Sequence, residues 1–189
     1  MSENKVLSDM ILSTSTVIAA IDAPIEKIDI ADWLLNLPDK EYQRCAPPDH
    51  KAAGYTTTDD GRPMSINVEM IGTGLVIQHY VAEVAEARHC HMVSLSDVLT
   101  LHGWTTVQVI WDLSVKPLDA NSCEYTNQVT SHPTTEFIAF IEKNGTTFED
   151  AAAARQAASG DHNRRETPLF AASIGRKALA TKQDRHAVA

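Results

Sequence analysis

The last part of the chain constrains the fold most. Residues 148–180 are alanine-rich, and alanine is the best helix former, so this stretch predicts a long helix. Gly160 is expected to break or loosen it. Pro168 lacks an amide proton and is expected to kink it, or to restart it with Thr167 as the cap. Along the stretch Phe148, Ala152, Ser159, His162, Glu166, Phe170 and Ser173 recur at i+3/i+4 spacing, so they form one stripe that another layer of structure must cover.

The preceding residues supply that layer. Residues 13–21 are short and rich in β-branched side chains, which predicts a first strand. Residues 25–37 follow with Ile28, Ala31, Leu34 and Leu35 at helical spacing, Trp33 as a core anchor and Pro38 as the stop. Strands are expected over 65–71, 75–85, 88–95, 105–115 and 123–130, with a hairpin at Gly72-Thr73-Gly74 and a loop over 96–104. A further helix begins at Thr135 and is interrupted by Gly145. The order of strand, helix, a run of antiparallel strands and a long C-terminal helix predicts an α+β fold. It is similar to the Bet v 1-like, or START-like (SRPBCC), helix-grip fold, in which a curved antiparallel sheet wraps a long C-terminal helix around a cavity. The expected organisation is a loose arm over 1–12, one domain over 13–180 and a polar tail over 181–189.

A length of 189 residues with 43% hydrophobic and 22% charged content suits one soluble globular domain. The net charge of -9, without a basic stripe, argues against nucleic acid as a partner. No apolar run approaches the roughly 18 residues of a membrane span. Cys45, Cys90 and Cys123 are odd in number and lack CxxC spacing, so they read as reduced thiols of a cytoplasmic protein.

Four residues combine into a candidate metal site. His162 and Glu166 stand four apart, which stacks them on one helix face. A solvated ion pair is the plainer reading of such a spacing, but both lie on the stripe expected to face the sheet. His50 follows the stiff turn Ala46-Pro47-Pro48-Asp49, and a stiff connection suits a ligand that must be held in place. Glu69 alternates against Ile66, Val68 and Met70, so it faces away from them, to solvent or into a polar cavity. Two imidazoles and two carboxylates form a donor set that suits Zn2+, with Fe2+ or Mn2+ after it.

Three segments, residues 41–50, 66–72 and His162-Asn163-Arg164-Arg165-Glu166, resemble the zinc-dependent 2,4-diacetylphloroglucinol and phloretin hydrolases. That resemblance implies His50, Glu69, His162 and Glu166 as zinc ligands and Tyr42 as a substrate contact. It also implies hydrolytic cleavage of a carbon-carbon bond in an acyl-aromatic ketone by metal-activated water. His89, His91 and His102 do not map securely onto the family, and of these only His91 is added as a candidate catalytic group at the cavity. The competing reading is a metal-free cavity protein of the polyketide cyclase or hydrophobic-ligand-binding type, in which Tyr42, His162 and Glu166 only orient a ligand. Both readings take a small aromatic or polyketide-like ligand as partner, with neither nucleic acid nor membrane, and both are compatible with a homodimer.

Overall fold

The computed structural model describes residues 3–180, so the tail expected over 181–189 lies outside the described residues. Seven strands form one antiparallel sheet: β1 (Ser13–Ile21), β2 (His50–Thr57), β3 (Pro63–Ile71), β4 (Gly74–Glu86), β5 (His89–Thr100), β6 (Gly103–Pro117) and β7 (Cys123–Pro133). Their order is β1-β7-β6-β5-β4-β3-β2, a meander in which the first strand joins the far edge beside the last. The chain crosses from one edge to the other through a 3₁₀ turn (Ile25–Lys27) and the short helices α1 (Ile30–Leu35) and α2 (Asp39–Cys45). After β7, α3 (Thr135–Lys143) leads to α4 (Phe148–Leu179), which lies across the sheet.

Alternation explains the sheet. In β6, Val107, Val109, Trp111, Leu113 and Val115 are buried, each two residues from the next, as a strand with one covered face requires. The stripe on α4 turns inward as its spacing predicts, with Ser159, His162, Glu166, Phe170 and Ser173 all buried. Phe170 is the anchor: its ring centroid lies 5.1 Å from that of Trp33 and 5.8 Å from that of Trp111.

Several expectations are corrected. α4 is continuous through both Gly160 and Pro168. Next to the proline, the Thr167 hydroxyl donates to the Asn163 carbonyl (2.6 Å), so Thr167 is a buried residue inside the helix and no cap. The loop expected over 96–104 is strand nearly throughout, because β5 runs to Thr100 and β6 starts at Gly103. Ser94 and Ser96 misled the pattern: both are buried, and their hydroxyls bond each other at 2.9 Å on the inner face. The expected helix over 25–37 is a 3₁₀ turn followed by a shorter helix that starts where Asp29 caps it, accepting from the Asp32 amide. Instead of forming a loose arm, residues 3–12 pack on the end of the sheet, where Val6 bridges Thr134 and Leu12 is buried.

Candidate metal centre and cavity

Each residue of the predicted quartet reaches one point from a different part of the fold. In the β2–β3 ladder His50 stands directly opposite Glu69, with a register irregularity between His50 and Ala52; such bulges re-aim side chains beside sites. Glu69 belongs to the inward row Ser65, Asn67, Glu69 and Ile71 of β3, all buried. His162 and Glu166 descend from α4, a turn apart. All four are 4–6% exposed, so they are sealed from bulk water.

The distances are close to uniform. His50 Nε2 lies 3.4 Å from Glu69 Oε2 and 3.2 Å from Glu166 Oε2. His162 Nε2 lies 3.2 Å from each of the same two oxygens. A regular tetrahedral site with metal–ligand bonds of about 2.0–2.1 Å has edges of roughly 3.3–3.4 Å. The four N···O edges lie at or just under that range, and all four donor atoms lie within 4.8 Å of one another.

The surrounding groups aim the donors inward. His50 Nδ1 lies 2.7 Å from the Tyr42 carbonyl oxygen, and His162 Nδ1 lies 3.0 Å from Asp49 Oδ2. Each acceptor requires a proton on Nδ1, which turns Nε2 toward the centre. Glu69 is held by Tyr42, whose hydroxyl donates to Oε2 (3.0 Å), and by Gln78, whose Nε2 donates to Oε1 (2.7 Å). Glu166 Oε1 accepts from Asn127 Nδ2 at 3.2 Å. One buried atom is left over. His162 Nε2 has hydrogen-bond geometry to no group among the described residues, although such atoms are rarely orphaned in a folded interior.

Without an ion the quartet balances its charge with protons. Burial disfavours imidazolium, but the hydrogen bonds and charges of Glu166 and Glu69 outweigh it and raise His50 to about 9. Burial is likewise outweighed at His162, which Glu166 and Glu69 raise to about 12. The carboxyl of Glu69, which burial alone would raise, is held well below its ordinary value by the two imidazoles. Two imidazolium and two carboxylate groups carry the neutrality that a divalent cation among neutral imidazoles and the same carboxylates would also give. The donor set thus fits such an ion.

Glu69, His162 and Glu166 of the quartet line a cavity of about 30 Å³ between the sheet and α4, with His50 behind Tyr42. Its walls are mixed: Trp111, Phe170 and Val109 are apolar, while Asn67, Gln78, Tyr80 and Arg155 bring polar groups. Tyr42, predicted as a ligand contact, is buried at the rim of the quartet, its ring stacked on His50 at 3.7 Å. His91 is a correction. It lies in the alternate row of β5 that faces away from the helix, where its Nδ1 bonds Asp112 Oδ2 (2.7 Å), so it cannot reach the cavity. Asp49, Gln78, Asn127 and Arg155 were missed. Asp49 directly precedes a proposed ligand, and Arg155 stands seven residues before His162, two turns up the same face, so both had a readable signal. Gln78 and Asn127 had none beyond strand alternation.

No family model matches the sequence, and no curated protein matches it. Among solved structures, the chain is similar to the ZhuI aromatase/cyclase of Streptomyces sp. R1128, at 12% identity over 88% of this chain and 96% of that one, with a TM-score of 0.62. It is also similar to a protein of Thermus thermophilus, at 13% identity over 89% and 99% of the two chains, with a TM-score of 0.51. A third likeness is to the di-domain aromatase/cyclase StfQ of the steffimycin biosynthetic pathway, at 14% identity and a TM-score of 0.51; it covers 96% of this chain and 53% of that one, about half the larger protein. These likenesses correct the expectation of a zinc hydrolase, since the named enzymes among them are aromatase/cyclases. At such identities they show the fold alone, and the chain has the START-like, Bet v 1-like helix-grip fold.

Proposed function

We propose that this protein binds a small aromatic or polyketide-like molecule between the sheet and α4, as a cavity protein of the cyclase or hydrophobic-ligand-binding type. We further propose that a divalent transition-metal ion sits at the polar end of that cavity. The observation that carries the reading is the buried quartet His50, Glu69, His162 and Glu166, placed beside apolar walls formed by Trp111, Phe170 and Val109. A buried cluster of ionisable groups is costly unless it is paired, and the partly apolar space beside it, about 30 Å³, has to widen to admit an oxygen-bearing ring.

Within this reading each residue has a defined task. His50 and His162 present Nε2 to the centre because Tyr42 and Asp49 occupy their Nδ1 protons. Glu69 and Glu166 supply Oε2 and keep Oε1 for Gln78 and Asn127. When bound, the ion would polarise a carbonyl or phenolic oxygen of the ligand as a Lewis acid. The Tyr42 hydroxyl, kept protonated by burial and by the charges of Glu69 and Glu166, gives its one proton to Glu69 and leaves its oxygen to accept from a phenol of the ligand. Phe170 and Trp111 exclude water from the ring face.

Metal analysis of protein purified without chelator tests the metal half. The expected result is about one equivalent of zinc, iron or manganese in wild type and loss of that metal in His162→Ala. A metal-free wild type that still binds aromatic ketones in calorimetry would leave the ligand-binding half standing and remove the metal.

A further inference from the structure

Arg155 is the one basic group in the cavity wall outside the quartet. Its guanidinium makes no ion pair or hydrogen bond among the described residues, and its Nε is buried without a partner. Arg155 is half-buried, arginine stays charged in proteins, and a partly desolvated cation without a partner is costly. The other arginines of α4 behave otherwise: Arg164 pairs with Asp161, Arg165 with Asp49 and Asp161, and Arg176 with Glu41.

Its place on the helix is informative. Arg155 and His162 are seven residues apart, which sets them about 10 Å apart along the axis on one face. A substituted aromatic ring between them would meet the quartet at one end and the guanidinium at the other. Arg155 also belongs to two spaces. With Ile71 it lines the inner cavity and an outer apolar groove of about 370 Å³ walled by Leu12, Val98, Val107 and Phe137. The inner space, about 30 Å³, holds little more than water, so a ligand entering from the groove passes this side chain.

We propose that Arg155 is the anion-recognition residue of the cavity: the ligand carries an oxyanion, a carboxylate or an ionised phenol, that pairs with the Arg155 guanidinium while its other end meets the quartet. This deepens the ligand-binding reading and rests on it. The planar guanidinium offers donors in a fork that matches a carboxylate in two parallel hydrogen bonds. Gln78 and Asn67 line the same cavity and add neutral polar groups.

Calorimetric titration at neutral pH with 2,4-dihydroxybenzoate and with its neutral counterpart 2,4-dihydroxyacetophenone tests the proposal. Wild type is expected to favour the carboxylate by about tenfold or more, the worth of a charge-assisted hydrogen bond. In Arg155→Met the preference should fall to about twofold or less while the ketone binds as before. Arg155→Lys should keep part of it, and this variant also decides the matter if Arg155→Met does not fold. Equal binding of the two probes by wild type, or a preference that survives in Arg155→Met, overturns the role of Arg155 alone. Binding of neither probe by wild type overturns the ligand-binding reading and this inference with it.

Discussion

At the scale of single residues, the Asp49–His162 contact shows how a site is built outward from its donors. Asp49 lies beside His50 in sequence yet serves His162, across 113 positions. Replacing it with Asn removes the charge that fixes the His162 tautomer, and loss of such a partner typically weakens metal binding by about 10–100-fold. We expect Asp49→Asn to keep its fold, by circular dichroism, and to release metal to a chelator at correspondingly lower concentration; unchanged retention would show that Asp49 does not orient the ring. Tyr42→Phe probes the other side of the quartet. It deletes a buried hydroxyl that donates to Glu69, and it should lower stability by about 1 kcal/mol in urea unfolding.

At the scale of elements, α4 and the sheet hold each other through few, large contacts. Phe170 is 1% exposed and packs on Trp33, Trp111 and His50. Truncating it to Ala should cost about 3–5 kcal/mol, and a fall of under about 1 kcal/mol in the unfolding free energy would show that the core closes around the gap. The β3–β4 turn gives a second test. Gly72 has φ +61, and a Cβ built there would lie 3.1 Å from Ala158 Cβ on α4. Gly72→Ala therefore combines left-handed backbone strain with a close contact, and should destabilise by about 1–2 kcal/mol. The sheet was legible where one face is apolar, as in β6, and less so where its inner face turns polar. Ser96 points inward but looks like a loop residue in the sequence, and for Asn67, Glu69 and Ser94, which fall in strands the pattern did find, alternation left open which face is covered, because it reports hydrophobicity and not direction. β2 was missed for a related reason: after His50 its side chains are largely exposed, so it carries no apolar row.

At the scale of the whole molecule, acid stability should respond to the outer face of the sheet. Partial burial opposes the charge of Asp112, but hydrogen bonds from His91 and His89 outweigh it and hold its pKa below the ordinary carboxylate value. A depressed folded-state pKa gives stability that is present above the unfolded value, about 4, and is lost as pH falls through the folded one. Asp112→Asn should therefore unfold more readily than wild type at neutral pH, with the difference shrinking below about pH 4; a constant offset across the acid limb of urea titrations would remove the carboxylate as its cause. Among the described residues no helix is long and apolar enough to cross a membrane.

The sequence by itself determined most of the elements and one half of the site. Helical spacing put His162 and Glu166 on a single inward stripe, strand alternation set Glu69 against Ile66, Val68 and Met70, and local pattern needs nothing beyond the period of each element. Tertiary structure decided what these residues meet. Only the β2–β3 register sets His50 opposite Glu69, only the packing of α4 lowers His162 Nε2 to 3.2 Å from two carboxylates, and only the laying of α4 on the sheet leaves Arg155 in the cavity wall without a partner among the described residues. These are distances between segments far apart in the chain, and no periodicity encodes them, because a register or a crossing is set by the energy of the whole packed core.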